Sequence, residues 1–170
     1  ALTEVVLADD ATLDWVKIET HGERAKHVQT IRANIGARSV LNVTSLGLGA
    51  RLSRTEMRIR LQGRQAKANL AGLTLGRKDQ VQDHYVWIDH EVPDCHSNQL
   101  FRSLSADRSR GLFTGRVVVH PDAQRPLAEQ QHDGLLLSEG AVTNARPQLE
   151  IYADDVSCRH GATVGQMDED

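Results

Sequence analysis

Apolar residues along this chain alternate with polar ones far more often than they recur every three or four positions, and a period of two belongs to strands. Met57, Ile59 and Leu61 point to one face while Arg58, Arg60 and Gln62 point to the other. The same alternation recurs at Val5/Leu7, Val16/Ile18, Leu41/Val43, Leu46/Leu48, Leu73/Leu75, Val86/Ile88, Val117/Val119, Leu135/Leu137 and Leu149/Ile151. No long amphipathic helix intervenes, which disfavours parallel strands joined by crossover helices. The pattern predicts an all-β chain.

Glycines add a longer period. Gly36, Gly49, Gly63 and Gly76 follow one another at intervals of 13, 14 and 13 residues, each closing a strand-like segment. That repeat suits an antiparallel sandwich or a flattened β-helix in which two strands make a coil of about 27 residues. The two-residue hairpin signature is nearly missing, and the single Asp133-Gly134 follows the polar run Glu129-Gln130-Gln131-His132, so the β-helix is favoured. Stacked coils imply a narrow interior layered with aliphatic side chains, with small Gly and Ala turning the corners. They also imply two ends with unpaired strand edges that need covering. No helical pattern stands at either end, and the chain runs out in Met167-Asp168-Glu169-Asp170. A partner or a further segment is expected there.

Length and composition narrow the function. The 170 residues suit a single domain over 1–170. Hydrophobic residues make up 39% and aromatics 4%, so the core must come from Leu, Val, Ile and Ala, and base-stacking platforms are excluded as a main theme. With 20 Lys and Arg against 23 Asp and Glu, the net charge of −3 offers no basic field for nucleic acid or an anionic membrane. No apolar run approaches the roughly 18 residues of a membrane span, and no leader pattern opens the chain. Two cysteines, Cys95 and Cys158, are too few for a disulfide framework, and reduced thiols in a cytoplasmic protein are expected. The first residue is not Met, so a piece of a longer product is also expected.

Familiar catalytic motifs fail. Gly47-Leu48-Gly49-Ala50-Arg51-Leu52 starts like a dinucleotide fingerprint, but Leu52 takes the third glycine position. No Gly-Lys-Ser/Thr loop is present to cradle a phosphate, and no Gly-x-Ser-x-Gly elbow to carry a nucleophile. The scattered carboxylates leave a glycosidase open but unsupported. Among the eight histidines, His21, His27, His84, His120 and His132 stand in polar or turn-like surroundings and are expected at the surface. His90, Cys95 and His96 combine donors that suit zinc or iron, although a turn at Pro93-Asp94 would make them diverge. Cys158 and His160 are two apart, so an extended backbone puts thiol and imidazole on one face with Arg159 opposite. Such a pair either binds a soft metal, forms a thiolate supported by the histidine, or simply packs. Gly161 allows close approach of another backbone or an unusual dihedral angle. Asp154-Asp155 offers oxygen ligands or a turn.

The stretch from Pro147 through Val156, then Cys158 and His160-Gly161-Ala162-Thr163-Val164-Gly165, resembles the signature of the SufB/SufD family, and more closely its SufD branch. Leu135-Leu136-Leu137-Ser138 with Ala141, Phe113-x-Gly115 before Val117 and Val119, and His90 with Cys95 and Ser97-x-Gln99-Leu100 extend the match upstream. The resemblance implies a right-handed parallel β-helix without enzymatic activity, the core of a cytoplasmic scaffold that builds iron–sulfur clusters. It implies partners SufB and the ATPase SufC, pairing with SufB through the β-helix end, and a transient cluster shared with SufB near His160 and Cys158. No cluster is expected in the core alone. It further implies flanking helical regions that this chain lacks, and pairing of the end with itself when SufB is missing. A β-helical carbohydrate-active enzyme and a purely structural self-assembling β-helix stand as alternatives.

Overall fold

The structure is a computed structural model that describes residues 1–167. Asp168, Glu169 and Asp170, the acidic run singled out above, lie outside the described residues. Twelve strands follow in chain order: β1 (Leu2–Leu7), β2 (Thr12–Glu19), β3 (Lys26–Ile35), β4 (Val40–Gly47), β5 (Leu52–Leu61), β6 (Lys67–Gly76), β7 (Val81–His90), β8 (His96–Ser105), β9 (Arg110–Val119), β10 (Leu127–Leu136), β11 (Val142–Ile151) and β12 (Ser157–Gln166). Odd strands stack in one six-stranded sheet and even strands in a second. Every pairing is parallel. Two strands make one coil, as the glycine period predicts. Each coil advances the register by 26 residues at its shortest, Lys26 beside Leu52, and by 32 at its longest, Arg110 beside Val142. The chain is therefore a parallel β-helix.

In-register stacking makes rows of side chains along the axis. Val5, Ala33, Ile59, Ile88, Val117 and Leu149 form one inward row of the odd sheet. Leu13, Leu41, Ala68, Ser97, Ala128 and Cys158 form one of the even sheet. These rows meet where odd strands end and even strands begin, and the rows beside them, with Ile31, Met57 and Val86 in the odd sheet and Val43 and Leu70 in the even, extend the apolar core. Met57, Ile59, Leu61, Val86 and Ile88 are wholly buried, each contributing about 1.5–3 kcal/mol through the removal of its side chain from water.

The opposite margin of the interior is polar, which the composition had not implied. Lys17, Ser45, Ser53, Thr55, Gln82, His84, Ser103, His132 and Thr143 all point inward there. His84 and His132 are thus buried, at 6% and 1% exposure, and not on the surface. Ser45 Oγ lies 3.0 Å from His84 Nε2, and Ser103 Oγ 3.1 Å from His132 Nε2. Between the two imidazoles, Phe101 and Phe113 stack at 4.9 Å, so both phenylalanines of the chain line this margin. His27 is half-buried, and His21 and His120 sit nearer the solvent.

The outside of the even sheet also departs from expectation. Val16/Ile18, Leu46/Leu48, Leu73/Leu75 and Leu135 keep the period of two but face outward; Val16 and Ile18 are 62% and 60% exposed. Period alone does not say which face is inside, and at β2 the inward places belong to Lys17 and Glu19.

Corners follow two devices. Gly63 has no room for a side chain, because a Cβ there would meet the backbone nitrogen of Ala37 in the preceding coil at 1.9 Å. The left-handed backbone positions, however, belong to Asp10, Arg38, Gln65, Asp94 and Arg125 at one corner and to Ala50, Lys78 and Asp107 at the other; no glycine adopts positive φ. Coil-to-coil hydrogen bonds hold them, among them Asp10 N to Ala37 O at 2.9 Å and Arg38 N to Arg64 O at 2.9 Å. Bidentate pairing of Arg38 with Asp10 and of Arg125 with Asp94 runs along the same corner.

Candidate functional site

The parallel ladder leaves one open edge per sheet at each end of the described coil: β1 and β2 at one, β11 and β12 at the other. β12 pairs with β10 through ten consecutive residues, Leu127–Leu136 against Ser157–Gln166. Cys158 takes the place of Ala128 in its row, and His160 that of Gln130. Both are therefore inward-parity residues, with Arg159 on the outer face, where its guanidinium pairs with Glu129. Residues of the same parity in β10 are covered by β12, but no described strand lies above β12. Ala128 and Gln130 are accordingly buried, whereas His160 is exposed and Cys158 half-buried.

Cys158 packs with Leu149 and Val156 against a small cluster of Val117, Val119, Ala123, Ala128 and Ala153. Burial raises the thiol above its ordinary pKa, only partly opposed by a backbone hydrogen bond from Ala128. That direction favours the thiol over the thiolate. A metal binding there must displace that proton.

His160 borders a groove of about 510 Å³ shared with Asn98, Leu100, Glu129, Gln130, Gln131, Arg159 and Gly161. Gly161 keeps ordinary φ, and a Cβ on it would meet nothing within 4 Å. The unusual dihedral angle is thus absent, while the space over its backbone is open. Asp154 and Asp155 form a bend in the β11–β12 connection.

The His90, Cys95 and His96 group does not converge. His90 is fully buried with Nε2 2.9 Å from Ser97 Oγ, and burial, with a smaller push from His96, lowers its pKa to about 4. Cys95 turns back to donate to the carbonyl of Gly63 at 3.3 Å, its thiol pushed up to about 11 chiefly by burial. His96 is exposed, and Pro93-Asp94 makes the separating turn. Among the described residues no three His, Cys, Asp or Glu gather as a metal cage. One strand here offers at most two ligands, fewer than an iron–sulfur cluster takes.

Two amides escaped the sequence reading. Gln99 and Gln130 are buried beneath His160 in its own row, Gln130 Nε2 donating to Gln99 Oε1 at 3.3 Å. Their signal in the sequence is an identical residue type repeated one coil apart at an inward position.

Across its whole length, residues 1–170, the chain matches the family described as SUF system FeS cluster assembly, SufBD core domain. The chain belongs to the SufBD core family. It is 34% identical over 123 residues to the iron–sulfur cluster assembly protein SufD of Escherichia coli K12, which covers 72% of this chain and 29% of that protein. It is 30% identical over 169 residues to a SufBD family protein of Synechocystis, slr0076, covering 99% of the chain and 37% of the relative. Protein ABCI7, chloroplastic, of Arabidopsis thaliana is 29% identical over 168 residues, 98% of the chain and 35% of that protein. The chain thus spans about a third of the length of these relatives. The family is described as one of iron–sulfur cluster assembly. Membership removes the ground for a carbohydrate-active enzyme, which rested on β-helical architecture alone. No helix of the described residues is long and apolar enough to cross a membrane.

Proposed function

We propose that this SufBD core is the β-helical part of a non-enzymatic scaffold subunit that pairs with SufB through the open β11–β12 end. There His160, with Cys158 beside it, contributes one side of a nascent iron–sulfur cluster that SufB completes. The observation that carries this is the exposure of His160 at an inward-parity position, where every preceding residue of its row in β4, β6, β8 and β10 is covered. A parallel edge has unpaired N–H and C=O groups that another chain's strand can satisfy. The open space over Gly161 lets such a strand approach. Two ligands from one chain suit a shared cluster better than a resident one. SufC, supplying ATP hydrolysis, belongs to the same reading, as does a homodimer through this edge when SufB is missing, both in the cytoplasm.

The test is co-expression of the whole protein that carries this chain with SufB and SufC, followed by iron and sulfide assays of the purified complex. His160→Ala should lose most of the iron and sulfide while leaving the complex assembled. Wild-type loading by that variant overturns the assignment. Mass measurement in solution with and without SufB separates the scaffold from a self-assembling β-helix, since a chain indifferent to SufB contradicts the pairing.

A further inference from the structure

Three polar side chains occupy one inward row at the open end. Gln99 of β8, Gln130 of β10 and His160 of β12 stand in direct register, one strand spacing of about 4.8 Å apart. The preceding members of the row are Trp15, Val43 and Leu70, so the change from apolar to amide falls on the two coils beneath His160. Both amides are buried, at 0% and 2% exposure. Because Gln130 Nε2 is spent on Gln99 Oε1, the free end of Gln130 is its carbonyl. That oxygen, Gln130 Oε1, is buried without a hydrogen-bond partner.

The opposite wall of the coil is cut away to make room. A Cβ on Gly115 of β9 would lie 1.6 Å from Gln130 Nε2 and 2.7 Å from its Cδ. In the three coils before it that row holds Ile31, Met57 and Val86, with Thr3 at its start and Pro147 in the coil of His160. After Ile31, Met57 and Val86 the row drops to glycine at this coil, and the amide of Gln130 lies in the space. Neighbouring inward positions of β10 cannot substitute. Ala128 and Gly134 carry no acceptor, and His132, which meets Ser103 through Nε2 at 3.1 Å and keeps an unpartnered Nδ1, stands in the next inward row, two residues from the row that His160 continues.

We propose that Gln130 is the positioning residue for His160: its buried Oε1 accepts one imidazole N–H when the ring turns in over the coil, fixing the tautomer and aiming the other ring nitrogen out of the open end. Metal-binding histidines generally have their second ring nitrogen held by such an acceptor, which sets tautomer and ring orientation. The use of that aimed nitrogen rests on the reading of His160 as a cluster ligand. The contact itself is testable without iron, so the two can fail separately.

The experiment measures the tautomer of His160 in the 15N-labelled chain, at a pH where the ring is neutral, by long-range 1H–15N correlation. His160→Asn assigns the signal. One tautomer should dominate in the wild type, and Gln130→Met, of equal length but without an acceptor, should reduce the tautomer ratio roughly 5- to 10-fold, the worth of one neutral hydrogen bond. Gly115→Ala, which displaces the amide with Gln130 intact, should reduce it in the same direction, and Gln130→Glu should restore it. Thermal melts establish that the variants are folded. An unchanged ratio in folded Gln130→Met overturns the proposal, as does an unchanged ratio in Gly115→Ala should Gln130→Met fail to fold. Normal cluster loading by His160→Ala would instead remove the scaffold reading of His160 and leave the contact to be decided by the tautomer ratio.

Discussion

At the β2 end of the coil, Lys17 and Glu19 occupy inward rows and answer one another. Lys17 Nζ lies 3.1 Å from Glu19 Oε2 and 3.0 Å from Thr55 Oγ1, and Ser53 donates to the same carboxylate at 2.8 Å. The other carboxylate oxygen, Glu19 Oε1, is buried without a hydrogen-bond partner, with His21 Nδ1 3.6 Å away, so the charge is matched at this end although one of its acceptors is not. At the β12 end, Gln99 and Gln130 each keep a buried polar atom unpartnered, and the imidazole above them is exposed. In the His160 row the earlier coils hold Val43 and Leu70 where the amides stand, whereas Lys17 and Glu19 head rows that stay small or polar through Ser45, Gly47 and Thr74. A buried charge matched by neighbours is a structural solution to desolvation. A buried acceptor left unmatched beneath an exposed ligand type is a cost without a structural return, and such costs collect at functional places.

The largest expected effect tests the matched end. Lys17→Met leaves Glu19, 2% exposed, without its cation, and breaking a buried pair in this way costs about 3–5 kcal/mol. The urea midpoint should fall steeply, and adding Glu19→Leu should recover most of it, because an apolar pair of similar volume removes the stranded charge. If Lys17→Met alone is neutral, the β2 cluster is not a stabilising lock and the contrast between the ends disappears.

Acid should act between the ends, on the buried histidines. Burial, with smaller repulsions from Lys17 and His132, lowers His84 to about 3, and burial lowers His90 to about 4. Burial lowers His132 too, against a weaker opposing pull from Asp133. Unfolded histidine titrates near 6.5, so the unfolded chain binds more protons below that pH. Stability is therefore complete above about pH 6.5 and declines as pH falls toward the folded values, by about 1.4 kcal/mol per pH unit for each histidine. At pH 5 the loss is about 2 kcal/mol for each of His84 and His90. Denaturant melts at pH 7.5 and 5 check this, and a flat profile across that window would mean that neither imidazole is buried in solution.

These histidines also mark where reading the chain reaches its limit. Strand alternation carries the all-β class and the shared Cys158/His160 face because backbone parity is local, whereas the glycine spacing suits a sandwich as well and needs the missing hairpin signature to favour the coil. Burial is not local here. His84 and His132 look exposed beside Asp83 and Asp133, yet their covers, Phe113 and Phe101, come from one coil away in register. Val16 and Ile18 look buried for the same reason and face out. The amide row was missed because Gln99 and Gln130 become neighbours only once the 31-residue offset of that coil is known.

The smallest expected effect is at the unmatched end, and it carries the contrast furthest. His160 is exposed, and no described strand covers it, so His160→Ala strands no buried partner: Gln130 Oε1 is unpartnered already. Loss of an exposed side chain outside the core typically changes stability by less than about 0.5 kcal/mol. The stability of His160→Ala should fall by no more than about 1 kcal/mol, the worth of its one hydrogen bond to Gln130, while cluster loading collapses. At the β2 end the order reverses: a substitution there should unfold the chain before any loss of function is specific. A fall of several kcal/mol, well beyond one hydrogen bond, would mean that the imidazole is packed as part of the core. The last coil would then be a second structural lock of the kind seen at β2, and not a place kept open for a ligand.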